Sequence, residues 1–323
     1  MAIQQSHPWA AYLGRRLVRF LLSLALLITA TFGMVHVIPG DPVRAALGVT
    51  ASPELVAART HELGLDLPIW EQYARYVAGL FTGDLGESMV SGLPVAQTIA
   101  DRLPYTVMLA LVALAVVMLT AVPAGMALAA WTRGGRRRGV ELAFTAVSGF
   151  LAVVPEFLLA VALIVVFAVT LELLPVADVT GAMGPEHYVL PALALAVGPA
   201  AALGRIVRVE ALGVLSSDYL RTARAKRLPA RLIYLRHALP NLLTGALTIG
   251  GLLVSGLVAG SVLVENVFVW PGLRSSLVEA IKAKDYPVVQ GVVLVYGAAV
   301  LLVNLAVDVA LGRLDPRSMI RED

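Results

Sequence analysis

Cysteine is absent from the 323 residues, and charge is scarce: Asp, Glu, Lys and Arg together make up 15%. Without cysteine there is no disulfide, no thiolate metal site and no cysteine nucleophile. Soluble domains carry about 25% charged residues. A chain so poor in charge and 59% hydrophobic lacks the polar surface that water requires, so its solvent is lipid. The net charge of +3 is too small to suggest nucleic acid, and no basic stretch is interleaved with aromatics. The phosphate-cradling pattern G-x-x-x-x-G-K-[ST] is also missing; glycine is never followed by lysine. His61-Glu62 opens like the zinc-protease motif H-E-x-x-H, but position 65 is leucine. His36 and His237 stand alone, without a metal-ligand set around them. No catalytic constellation emerges, and the chain reads as something other than an enzyme.

Long apolar runs are what the chain does have. A membrane span needs about 20 apolar residues, because the hydrocarbon core is about 30 Å thick. Six runs reach or approach that length, at residues 17–38, 105–130, 142–169, 188–204, 242–264 and 288–311. Backbone groups in lipid must bond within their own segment, so each run is expected to be helical. The expected fold is all-α, a polytopic membrane protein with six transmembrane helices. The fourth run is the shortest and is interrupted by Pro191 and Pro199. The first follows Arg15, Arg16 and Arg19, as a signal-peptide core would. Its apolar stretch exceeds the usual run of about 7–15 residues and no A-x-A-like cleavage site follows, so an uncleaved span is expected.

Lys and Arg set the orientation. With the N-terminus cytoplasmic, the inside segments hold three arginines around the start of the first span, four in 131–141, eight cations in 205–241 and three after the last span. The outside segments hold seven. Both termini are therefore expected inside. The chain then divides into a cytoplasmic N-terminus (1–16), the first span (17–38), an extracytoplasmic cap (39–102), a five-span core (103–311) with an inside loop at 205–241, and a cytoplasmic tail (312–323). The cap carries eight acids against four arginines, and shows helical periodicity around Glu54–Leu63 and Trp70–Phe81.

The inside loop carries most of the functional information. Residues from Tyr219 to Leu228 are good helix formers, Asp218 is placed to cap them, and Pro229 ends the run. A short basic helix across the cytoplasmic surface could simply bind anionic lipid headgroups. The order of its residues says more. Arg221-Thr222-Ala223, then Arg227, His237 and Leu239-Pro240, fall at the positions of the Glu-Ala-Ala, Gly, Ile and Leu-Pro landmarks of a known loop. This loop resembles the cytoplasmic coupling motif of binding-protein-dependent ABC importer permeases, in the oligopeptide, dipeptide, nickel and glutathione class. Members of that class read Asp-Tyr-Val-Arg-Thr-Ala-Arg-Ala-Lys-Gly-Leu. This chain reads Asp218-Tyr219-Leu220-Arg221-Thr222-Ala223-Arg224-Ala225-Lys226-Arg227-Leu228. The resemblance extends over nearly the whole chain, through Pro39-Gly40-Asp41-Pro42, Gly83-Asp84-Leu85-Gly86, Trp270-Pro271-Gly272-Leu273, Asp285-Tyr286-Pro287 and Leu314-Asp315-Pro316-Arg317. The departure is Arg227, where the family usually has a glycine that permits a left-handed turn. Arginine enters that conformation only at a cost, so the turn is expected to differ.

The resemblance implies a type I ABC importer permease fold in the inner membrane. It implies a complex with a second homologous permease, two ABC ATPase subunits and an extracytoplasmic solute-binding protein, all embedded in membrane lipid. ATP and Mg would be held by the partner ATPases, with no cofactor on this chain. Peptides or similar small solutes would be the cargo. The ATPase-coupling residues would be Asp218, Tyr219, Arg221, Thr222, Ala223, Arg224, Ala225, Lys226, Arg227 and Leu228, with small Ala223 and Ala225 letting a partner approach and the flanking arginines meeting acidic rims.

Other positions carry weaker signals. Glu156, beside Pro155 in the third run, is a candidate for lining the solute path, since an ionisable group within a span is rarely idle. Asp308 shares a helix face with Asn304 and reads better as structural. Gly256 and Gly260 form a small-x-x-x-small pair suited to helix packing. The basic run Arg133–Arg138 reads as a topogenic signal. The alternative function is a secondary transporter or channel without ATPase partners; scarce ionisable residues in the spans argue against ion coupling.

Overall fold

Proline and apolar length decide where this chain bends and where it runs straight. The computed structural model describes residues 8–37, 42–48, 51–135, 137–176, 184–242, 256–257 and 262–314. Among them, helix is the only extended regular structure, beside one isolated bridge between Glu87 and Pro94. The helices are α1 (Pro8–Val37), α2 (Pro42–Leu47), α3 (Pro53–Glu62), α4 (Ile69–Thr82), α5 (Val95–Thr132), α6 (Arg138–Val153) and α7 (Glu156–Leu163), the last continuing as a π-helical turn over Ile164–Thr170. There follow α8 (Val189–Ser216), α9 (Asp218–Ala225), α10 (Ala230–Leu232) with a π-helical continuation Ile233–Ala238, α11 (Val262–Val267), α12 (Leu273–Ala283) and α13 (Tyr286–Leu314). Among the described residues, four helices are long and apolar enough to cross a membrane: Tyr12–Val37, Val95–Gly135, Pro185–Ser216 and Tyr286–Val309. Most of the fifth expected span, the tail from residue 315, and Gly260 lie outside the described residues.

Two expectations need correction. The third run is not one straight helix: α6 and the α7 segment meet at 98°. The cause is Pro155, which forces its predecessor out of the helical region; Val154 sits at φ −62°, ψ 124°. The fourth run, despite Pro191 and Pro199, is a single helix of 28 residues. It is the most enclosed of the candidate spans, and packing on several sides compensates the bond that Pro199 cannot make.

The chain divides into two compact units. One comprises residues 14–107 and 270–302. Here Ser52 caps α3 through its Oγ, which accepts the Leu55 N–H at 3.3 Å, with Pro53 at the first helical position. α4 ends at Gly83, whose φ of 77° opens the turn into residues 83–94. That turn is held by Asp285. Its carboxylate, in a residue only 4% exposed, accepts the Ser88 hydroxyl and the Met89 N–H, the latter at 3.1 Å. The Trp270 indole N–H donates to the Tyr105 carbonyl at 3.3 Å, and the Leu273 N–H to Thr106 Oγ1 at 2.9 Å. Around these bonds Val95, Ile99, Leu273, Ala280, Val288, Val289 and Val292 form a core. Hydrogen bonds to a buried charge contribute about 1.5–3 kcal/mol. Asp285→Ala should therefore lower stability by about that much, because two donors lose their acceptor. A thermal melt of the detergent-solubilised chain against wild type measures it; Asp285→Asn, keeping one acceptor, should fall between.

The other unit comprises residues 1–13, 108–269 and 303–323. α8 is its axis, packed against α6, α7, α9 and α11. Val117, Ala121, Leu203, Val207, Ala211 and Leu215 form the centre of its core. α5 and α8 approach at Gly125, where a Cβ would lie 2.7 Å from the Gly204 carbonyl oxygen and 2.7 Å from Val207 Cγ1. Tyr12 Oη donates to the Asp308 carbonyl at 3.0 Å, which ties the start of α1 to α13.

Candidate functional site

The segment 205–241 forms a compact hook built from the end of α8, the helix α9 and the α10 segment. α9 begins one residue earlier than the sequence suggested. Ser217, with φ −64° and ψ 151°, is the capping position, and Asp218 is already helical in the first turn, where its charge suits the helix dipole. The helix also stops earlier than expected, at Ala225 rather than Leu228. Its end is a Schellman turn: the Leu228 N–H reaches the Ala223 carbonyl at 3.3 Å and the Arg227 N–H reaches the Arg224 carbonyl at 2.9 Å.

Arg227 is the left-handed residue of that turn, at φ 54°. The expectation that the turn would differ is thus overturned; arginine adopts the conformation glycine would have taken. A left-handed non-glycine residue costs about 1–2 kcal/mol. Arg227→Gly should stabilise the loop by about 1 kcal/mol, read as slower hydrogen exchange at the Ala223–Leu228 amides.

Two faces of α9 separate cleanly. Leu220 is 0% and Ala223 is 7% exposed, both in the core cluster with Leu215, Ile233, Ala238 and Leu242. Leu228 packs against the same cluster. Asp218, Tyr219, Arg221, Thr222, Ala225, Lys226 and Arg227 are exposed. The small-residue expectation is therefore half corrected: Ala225 faces outward, whereas Ala223 is an internal packing residue. Arg224 is corrected as well. Its Nη2 donates to the Leu215 carbonyl at 2.8 Å and so caps the last turn of α8 instead of standing free. Burial, together with the nearby Arg133 charge, holds its guanidinium below the ordinary pKa. Arg133 belongs to the short turn after α5, so the two basic segments lie close to one another. Tyr219 and Asn241 both donate to the His237 carbonyl, at 3.5 and 2.9 Å, pinning the return of the chain.

Known proteins resemble this chain in sequence. Residues 121–320 match the family of binding-protein-dependent transport system inner membrane components, and residues 10–110 match the N-terminal region of such membrane components. The chain is 37% identical over 306 residues to the glutathione transport system permease protein GsiC of Salmonella paratyphi A, covering 94% of this chain and 97% of that one. The same protein of Salmonella typhimurium gives the same figures. That of Escherichia coli K12 is 36% identical over the same 306 residues.

The chain belongs to this family of inner membrane transport components.

Several features of the permease escaped the sequence reading. Arg208 of α8 pairs with Glu141 of α6 at 2.6 Å and donates to Thr132 Oγ1 of α5 at 3.2 Å, so one guanidinium joins three helices beside the loop. An alternation of charges 67 residues apart offered no sign of that pairing. The close approach of α5 and α8 at Gly125 was also missed; Gly256, singled out instead, has nothing within 4 Å of an added Cβ among the described residues. Glu156 stands in the first turn of α7, immediately after the bend, and is half-buried. His61 proves to be paired with Asp66 at 2.7 Å. The hydrogen bond and charge of Asp66 raise its pKa above the ordinary histidine value.

Proposed function

We propose that this permease is one of the transmembrane subunits of an ATP-driven importer, and that the outward face of α9 is where separate ATPases act on it. The carrying observation is the division of that helix. Leu220 and Ala223 anchor it to the ends of the membrane helices, while Asp218, Tyr219, Arg221, Thr222, Ala225, Lys226 and Arg227 are offered to a partner. A lever needs both properties, a rigid hold on what it moves and a free surface to be pushed. Leu228 and Arg224 fix its far end, through the core and the α8 carbonyl respectively. ATP, with Mg, binds and is hydrolysed on two ABC ATPase subunits; it shifts the permease between inward and outward openings only through a differential affinity for those states.

The pathway forms with a second homologous permease, and an extracytoplasmic solute-binding protein delivers the cargo. Both termini and the α9 loop face the cytoplasm. Kinship to glutathione permeases, whose cargo is a tripeptide, supports peptides or similar small solutes. Glu156 lines the path at the bend between α6 and α7. The decisive experiment is purification of the tagged chain from its native membrane. Two ATPases and a second permease should accompany it, and a crosslinker placed by Ala225→Cys in this cysteine-free chain should reach an ATPase. A chain that purifies alone and yields no crosslink in active membranes would sink the proposal. The ligand carried by the accompanying binding protein identifies the cargo.

A further inference from the structure

We infer that α4 is an interfacial membrane helix, with one flank seated in the bilayer on the cap's side and the other walling a polar cleft. The inference concerns lipid contact and does not depend on the ATPase reading. α4 packs against the last turns of α1, which is a candidate span. Tyr73 Oη meets Thr29 Oγ1 at 2.9 Å, Tyr76 Oη meets Thr31 Oγ1 at 3.2 Å, and the Gln72 amide meets His36 at 3.2 Å. Phe32 lies between the two tyrosine rings, 5.2 and 5.8 Å from their centroids. Thr29 is eight residues before the end of α1, about 12 Å along its axis. A helix held at that level stands at the boundary of the headgroups and the acyl chains, not out in water.

The remaining surface of α4 fits that depth. At 100° per residue, Trp70, Ala74, Val77 and Phe81 fall on one stripe. Trp70 is 73% and Phe81 87% exposed among the described residues. The helix that holds α4 is itself apolar on its outside: Leu17, Leu21, Leu22 and Leu26 of α1 are exposed. α1 is long and apolar enough to cross a membrane, and α4 is bonded to its last turns, so lipid is the occupant assigned to the stripe. Trp at such a level is the usual interfacial anchor, and an apolar face sunk into the boundary is how interfacial helices bind. The opposite flank is polar. Glu71 and Arg75 pair at 3.1 Å, and Arg75 lines a cleft of about 300 Å³ with His36, Gln72, Tyr76, Asp84 and Gln290. So α4 separates a wet cleft from the bilayer.

The cysteine-free background makes the test direct. Trp70→Cys, Phe81→Cys and Arg75→Cys variants of the full chain, labelled with bimane in nanodiscs, are quenched by nitroxide-bearing phospholipid or by aqueous iodide. Labels at 70 and 81 should be quenched several-fold more by the lipid probe, and the label at 75 by iodide. Iodide quenching of all three alike would overturn the inference. Protection of 70 and 81 from both probes would also overturn it, since a protein partner would then cover the stripe. If one variant fails to insert, the contrast between the other apolar position and 75 still decides.

Discussion

Reversing two exposed charges on α9, Arg221→Glu with Lys226→Glu, should cut ATP-dependent uptake by about tenfold or more, a loss of at least about 1.4 kcal/mol in coupling. Both side chains point away from the core that holds the helix, and exposed substitutions of this kind change stability by about 0.5 kcal/mol or less. The permease should therefore insert and assemble normally while its ATPases run uncoupled from the solute. Charged pairs that become desolvated at an interface cost about 2–5 kcal/mol when one partner is removed, so reversal of two can silence transport. Ala223→Asp looks like the simpler test but reads the wrong quantity. Ala223 is packed beside Leu220 and Leu215, and a carboxylate there would be buried without a partner, a cost of several kcal/mol that unmoors the helix. Loss of uptake in that variant would say nothing about a partner. The measurements are uptake into vesicles energised with ATP, and ATPase activity with and without loaded binding protein. Wild-type uptake by the doubly reversed variant would refute the proposal that this face couples to an ATPase.

The contrast between Ala223 and Ala225 marks how far sequence reading reaches. Apolar length announced the helices, because lipid leaves the backbone no other way to bond. Residue order announced the loop. Facing was harder. In a helix of eight residues, Ala223 and Ala225 stand about 160° apart around the axis, so the helix's rotation decides which alanine is buried, and Leu220 packed against α8 sets it. Arg227 illustrates the opposite error. A positive φ at a non-glycine residue looks improbable from local cost alone, yet two turn hydrogen bonds and the packing of Leu228 outweigh it. The break at Pro155 was visible as a proline but not as a corner; the 98° bend needs α8 to pack against both α6 and α7. Long-range partners such as Arg208 with Glu141, and Asp285 with Ser88, have no periodicity to betray them.

The crossing of α5 and α8 yields the second large effect. Between helices in lipid there is little hydrophobic drive, so close van der Waals contact holds them, and small residues are what allow it. At Gly125 that contact is at its limit, since an added Cβ would sit 2.7 Å from the Gly204 carbonyl oxygen and 2.9 Å from Val207 Cβ. The obstacle is partly backbone, which cannot rotate aside. Gly125→Ala should destabilise by about 1–3 kcal/mol, the usual range for overpacking. Gly125→Leu should yield no folded permease, because the helices must separate along the core that also seats α9. Gly213, farther along α8, is the internal control: nothing lies within 4 Å of a Cβ there. Relieved of glycine's conformational freedom, Gly213→Ala should gain about 0.5–1 kcal/mol. Thermal melts of the three variants in one detergent measure both signs. Equal tolerance at positions 125 and 213 would mean that the two helices do not meet at Gly125 in the membrane, and the placement of the loop anchored beneath them would fall with it.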